Sequence, residues 1–158
     1  MAGVTSKIHI NILPSTEQHL PQIIQIAEQT NINKWKFEDY QKEIQNPDSI
    51  ILSAFFDSKV AGFLAARLIS SESSVEIYNI AVSPKNQNKN IGTRLLDYLI
   101  KALKDKSKES IKTIFLEVRK SNSKAISFYE KNQFKAFGKR NNFYTHPTED
   151  AVLMKRDL

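Results

Sequence analysis

Apolar and polar positions alternate at Ile8, Ile10 and Ile12, a spacing that predicts a first strand ending at Pro14. Ser15 or Thr16 can cap a helix running to about Gln29, with Ile23, Ile24, Ile26 and Ala27 as its apolar part. Pro21 sits close enough to the helix start to be tolerated, because few intrahelical donors are lost there. A polar stretch over 30–36 carries the only tryptophan, Trp35, and a short second helix is predicted over 37–45, stopping before Pro47. Residues 50–56 are strongly β-prone. Asp57-Ser58-Lys59 connects them tightly to a second run over 60–69, so a hairpin is expected, with Gly62 marking a bulge or a close backbone approach. After a turn at 70–74, residues 75–82 return as a third antiparallel strand.

That strand stops at Ser83-Pro84, crosses a polar, basic loop and enters an amphipathic helix. Ile91, Leu95, Leu96, Leu99, Ile100 and Leu103 recur at helical spacing, and the pattern runs to about Lys106. A strand over 113–118 follows, its apolar sequence interrupted by Glu117. Ser121 or Asn122 can cap a short helix through Lys131, with Asn132 placed to end it in a left-handed conformation. Two last strands are expected over 134–138 and 151–154, separated by a polar loop that holds Phe143, Tyr144 and Pro147. The order β-α-α-β-β-β-α-β-α-β-β predicts an α+β fold, with a mixed, mostly antiparallel sheet flanked by helices. No repeat, linker or domain boundary is visible, so one domain over 1–158 is expected.

Composition narrows the chemistry. Cysteine is absent, which removes disulfides, thiolate metal sites and a cysteine nucleophile and fits a reducing cytoplasm. His9, His19 and His146 lie far apart without ligand spacing, so no metal is expected. No apolar run is long enough to span a bilayer, and residues 1–7 do not read as a signal peptide. The formal net charge of +6 favours an anionic partner. The lysines are scattered, however, and no nucleic-acid motif accompanies them, so direct nucleic-acid or membrane binding is not expected.

The loop before the third helix is the first candidate site. A loop that opens a helix presents unsatisfied N–H groups and the positive end of the helix dipole, a combination that holds phosphates. Lys85, Lys89 and Arg94 add to the local field; an ordinary βα connection with solvated lysines would look similar. The loop is neither Gly-x-x-x-x-Gly-Lys-Ser/Thr nor Gly-x-Gly-x-x-Gly. Glu117 and Tyr129 form a second candidate, a carboxylate to accept a proton and a phenol to donate one. Taken singly, such a Glu often just faces solvent, and such a Tyr is often core with its hydroxyl at the surface.

Ile80-Ala81-Val82-x-Pro84-x-x-Gln87-x-x-Asn90-x-Gly92 resembles the acetyl-CoA loop of the GNAT superfamily of N-acetyltransferases, whose pattern is Gln/Arg-x-x-Gly-x-Gly/Ala. Leu116-Glu117-Val118-Arg119, Ser121-Asn122, Ala125-Ile126-x-x-Tyr129-Glu130, Asn142-Phe143-Tyr144 and the stretch over 149–154 continue the resemblance. These later segments are similar to the RimI-type branch, which acetylates the N-terminal amine of a ribosomal protein.

The resemblance implies acetyl-CoA as co-substrate. The backbone of Ile80, Ala81 and Val82 would pair with the pantetheine arm, and the N–H groups of Asn88, Lys89, Asn90, Ile91, Gly92 and Thr93 would cradle the pyrophosphate. Asn122 would contact the cofactor. Glu117 would serve as base and Tyr129 as acid, with a primary amine attacking directly. Two departures stand out: Asn90 replaces the first loop glycine, and the segment between Tyr144 and Glu149 is short for the RimI type. Two other readings remain open at this point. One is an enzyme acetylating a small amine such as a polyamine, amino acid or antibiotic; the other is a non-catalytic acyl-CoA-binding or ribosome-associated module. A monomer or weak dimer is expected.

Overall fold

The computed structural model describes residues 9–32, 35–106 and 110–158. Its eleven principal elements follow the expected order, with short 3-10 turns added between some of them. Seven strands hydrogen-bond in the order β1-β2-β3-β4-β5-β7-β6, mostly antiparallel. The chain divides into two compact units: residues 1–47, 51–64 and 79–98 form the first, and residues 48–50, 65–78 and 99–158 the second.

In the first unit, β1 (Ile10–Pro14) runs antiparallel to β2 (Ser49–Phe56), with Ile12 opposite Ala54. Ile8, expected in the first strand, lies outside the described residues. The first helix starts later than its cap residues predict. Thr16 instead precedes a 3-10 turn over Glu17–His19, in which His19 Nδ1 accepts the Thr16 N–H at 3.0 Å. Helix α1 then spans Leu20–Thr30 and buries Leu20, Ile23, Ile26 and Ala27, three or four residues apart, as one apolar stripe. Helix α2 (Phe37–Gln45) buries Tyr40 edge-on to Trp35 and Phe63, so Trp35 has a packing role.

Asp57 and Ser58 both take positive φ, 51° and 65°, and form the two-residue turn between β2 and β3 (Lys59–Ile69). A Cβ at Gly62 would stand 2.9 Å from the Ala81 carbonyl oxygen and 3.2 Å from Ile91 Cγ2. The close approach expected from that glycine is therefore real, and it fixes the end of β4 (Ser74–Val82) against β3.

In the second unit, β4 pairs in parallel with β5 (Thr113–Arg119) over Ser74–Ile77 and Thr113–Leu116. Strand β5 pairs antiparallel with β7 (Glu149–Asp157) along its whole length, and β7 in turn pairs with β6 (Lys135–Tyr144). Ile114, Leu116, Val118, Phe134, Ala151 and Met154 are buried here. Helix α3 (Ile91–Lys106) and strands β2, β3 and β4 each belong partly to one unit and partly to the other. Among the described residues, no helix is long and apolar enough to cross a membrane.

Three boundaries differ from expectation. Helix α4 (Ser123–Lys131) is capped by Asn122, whose Oδ1 accepts the Ala125 N–H at 3.1 Å. It does not end on a left-handed Asn132, which sits at φ −96°. Gln133 takes that conformation, at φ 69°, because the Asn132 amide already donates back to the Phe128 and Tyr129 carbonyls. Strands β6 and β7 absorb most of the expected polar loop and leave a four-residue connection over 145–148, which holds a cis His146–Pro147 bond. The polar composition hid this hairpin: every β6 residue but Tyr144 is exposed, so no buried face signalled a strand.

Candidate active site

The first unit carries the β4–α3 loop. Asn88 and Asn90 both adopt the left-handed conformation, at φ 63° and 65°. Asn tolerates that region better than other non-glycine residues, so Asn90 performs the backbone turn that glycine makes in the family pattern. Left-handed residues alternating with ordinary ones turn successive N–H groups toward one side and build an anion-binding concavity. Helix α3 begins directly afterwards, with the Arg94 N–H donating to the Asn90 carbonyl at 3.1 Å. The N–H groups of Ile91, Gly92 and Thr93 belong to its first turn, where intrahelical acceptors are missing. This backbone fits a pyrophosphate.

Side chains brace the loop from inside. Asn86, only 6% exposed, donates from Nδ2 to Ser83 Oγ at 2.8 Å and accepts from Lys89 Nζ at 3.1 Å. The same ammonium lies 4.3 Å from the centre of the Phe56 ring. Lys89 thus spends its charge on the loop and on Phe56, and its contribution to anion binding is the backbone N–H. Gln87 Nε2 donates to the Val82 carbonyl at 3.1 Å. Asn86 is a residue the sequence did not single out; its burial within a polar run is the only signal that would have found it, and burial is invisible in sequence.

The second unit carries Glu117 and Tyr129. Glu117 is on the half-exposed face of β5 with Phe115 and Arg119, alternating with buried Ile114, Leu116 and Val118. Its Oε1 stands 3.2 Å from Arg140 Nε on β6. Tyr129 is buried on α4 and packs edge-on against Phe128 and Phe134. Burial, and after it the Tyr144 phenol, push the Tyr129 hydroxyl well above the ordinary tyrosine range. Tyr144, at the end of β6, is the link between the two candidates: burial and then the Glu117 charge raise its own pKa, while Arg119 opposes the rise.

Arg119 organises the neighbouring turn. Its guanidinium lies 4.3 Å from the Tyr144 ring centre, donates to the Pro147 carbonyl at 3.2 Å and pairs with Glu149 Oε2 at 3.4 Å. Glu149 Oε1 accepts the Ser121 N–H. The structure therefore groups Ile80, Ala81, Val82, Asn88, Lys89, Asn90, Ile91, Gly92 and Thr93 in the first unit. Glu117, Asn122 and Tyr129 lie in the second. Asn122 uses its side-chain oxygen as the α4 cap.

A strand that ends in an anion-binding loop at a helix start, with a carboxylate and a phenol on following elements, describes an acyltransferase built around a phosphate-bearing thioester. The pattern that defines the acetyltransferase (GNAT) family matches residues 20–134, and the chain belongs to that family. It is an N-acetyltransferase that uses acetyl-CoA. The chain is 32% identical over 149 residues to the [ribosomal protein bS18]-alanine N-acetyltransferase of Salmonella typhimurium, covering 92% of this chain and 94% of that protein. An N-alpha-acetyltransferase of Saccharolobus solfataricus is 29% identical over 149 residues, covering 88% and 87% of the two chains. Among solved structures, the ribosomal-protein-S18-alanine N-acetyltransferase of Escherichia coli superposes with a TM-score of 0.83 at 27% identity, over 94% of each chain.

Proposed function

We propose that this enzyme acetylates the N-terminal α-amine of a protein, with a ribosomal protein as its foremost acceptor. The observation that carries this reading is the match to the Salmonella enzyme over nearly the whole of both chains. The RimI-type segments of the sequence, from Leu116 to Met154, point the same way.

Acetyl-CoA supplies an acetyl group already activated as a thioester. The loop backbone from Asn88 to Thr93 holds the pyrophosphate, and the backbone of Ile80, Ala81 and Val82 lines the arm that carries the acetyl group. Asn122 adds a cofactor contact. An α-amine has an ordinary pKa of about 7.7–8.0, so a modest base suffices to free its lone pair. Glu117 takes that proton. Tyr129 directs its hydroxyl at the leaving sulfur; burial keeps this phenol protonated across the physiological range, so it acts chiefly as a hydrogen-bond donor there. The two units then work as one acetyltransferase domain.

Mass spectrometry of ribosomal proteins incubated with the enzyme and acetyl-CoA tests the acceptor. One acetyl increment at one N-terminus supports the reading. Turnover on small amines with no N-terminal increment on any protein removes it.

A further inference from the structure

Glu76 plays no part in the mechanism so far, yet it occupies the same sheet face as Glu117. On β4, Glu76 and Tyr78 are half-exposed and alternate with buried Val75 and Ile77. The parallel register puts Glu76 opposite Phe115, two residues before Glu117 on its strand. With strands about 4.8 Å apart and a rise of about 3.3 Å per residue, the two glutamate Cα atoms are about 8 Å apart. Side chains of this length close that distance. The charged groups around Glu76 come from every neighbouring element: Glu117 on β5, Arg140 on β6, Arg67 on β3 and Glu72 in the turn before β4. Arg140 is committed to Glu117 at 3.2 Å, and the Arg67 guanidinium lies 5.6 Å from the centre of the Tyr78 ring.

We infer that Glu76 is a second catalytic carboxylate, which shares with Glu117 the proton released by the acceptor amine. The inference rests on the acid–base reading above but not on the identity of the acceptor. The amine lone pair forms the new C–N bond, and the C–S bond breaks with its electron pair going to sulfur. The N–H proton passes to the carboxylate pair, and the sulfur is protonated from the Tyr129 side or from water. The two carboxylates are unequal. Glu117 faces a guanidinium in direct contact. Partial burial, and after it the Glu117 charge, hold Glu76 above the usual carboxylate range, against the opposing pull of Arg140 and Arg67 and with a small addition from Glu72. A carboxylate closer to neutrality is the better proton acceptor, and two groups pushed apart in this way divide the roles of holding charge and holding the proton.

The test uses the full chain and any primary amine that it acetylates. The pH profile of kcat/KM is measured for the wild type, Glu76→Gln and Glu117→Gln; the amine's own titration is common to all three and cancels in the comparison. Glu76→Gln is expected to lower the plateau about tenfold or more and to move the acid limb to lower pH. In carboxyl-13C glutamate-labelled protein, the Glu76 signal should titrate above the ordinary range, and Glu117→Gln should lower its midpoint by removing the like charge. An unchanged acid limb and plateau in Glu76→Gln overturns the inference, as does a Glu76 midpoint indifferent to Glu117→Gln. A wild-type rate in Glu117→Gln alone would instead remove Glu117 from the mechanism, and the Glu76→Gln profile would still decide the role of Glu76.

Discussion

Glu117 Oε1 and Arg140 Nε stand 3.2 Å apart, so the candidate base carries a cation of the protein's own beside it. The Arg140 side chain is 57% exposed, and water and salt screen the pair. Arg140 also lowers the pKa of Glu76. Arg140→Gln should therefore raise the Glu76 midpoint, by about a few tenths of a unit given the screening. High salt should shrink the difference. A fall in that midpoint would show that the two side chains do not share a field.

Glu117→Gln and Tyr129→Phe should each reduce turnover by about 10²-fold or more, the usual scale of general acid–base help, with acetyl-CoA affinity retained. Steady-state kinetics beside calorimetric binding separates the two effects. Wild-type rates in both variants would remove these roles. Tyr129→Phe keeps the ring that packs on Phe134, so its stability should change little.

Asn90→Gly should preserve or improve acetyl-CoA affinity, because glycine reaches φ 65° without the steric cost an L side chain meets. Asn88→Gly should behave alike. A β-branched residue is the contrast: Asn90→Val should destabilise the loop by about 1–2 kcal/mol and weaken binding. Titration calorimetry checks both, and a large loss of affinity in the glycine variants would mean that the loop works through the asparagine side chains.

Gly62→Ala places a methyl group 2.9 Å from the Ala81 carbonyl, which is backbone and cannot swing aside. Overpacking of this kind costs about 1–3 kcal/mol. The urea midpoint should fall, and acetyl-CoA affinity should fall with it, since Ala81 lies in the strand proposed to line the cofactor arm. Unchanged values in both measurements would contradict the close approach.

Glu149 accepts from Ser121 and pairs with Arg119, and these contacts hold its carboxyl below the usual range. The sign follows from linkage: a folded-state pKa depressed below the unfolded value adds stability that is complete above the unfolded value and disappears as pH falls through the folded one. The Ser121 amide should lose hydrogen-exchange protection in that acid window. Glu149→Gln should remove the pH dependence of that protection; its persistence in the variant would assign it to another group.

The sequence is most informative where an element has one buried face. The stripe of α3 and the alternation of β5 announce themselves because burial repeats at the period of the element. Strand β6 has no such face, and its extent was hidden. The loop was legible through Gln87, Asn90 and Gly92, but Asn88 was not recognised as a second left-handed residue, since nothing in its identity requires one. Glu117 was legible by likeness to a family. Its partner Arg140 and its neighbour Glu76 come from distant parts of the chain, and only strand pairing brings their charges into one field. A carboxylate's environment is a property of the register, and the letter E does not carry it.

Strand β6 closes one side of the sheet order, and its outer edge offers backbone donors and acceptors to any extended chain that drifts past. It carries Lys135, Lys139 and Arg140, all exposed, around an exposed Phe137. A second molecule adding its own β6 there would bring like charges together on neighbouring strands. The arginine that touches the candidate base therefore has another duty: with the two lysines it keeps concentrated enzyme dispersed, and neutralising all three would be felt first as turbidity in the tube.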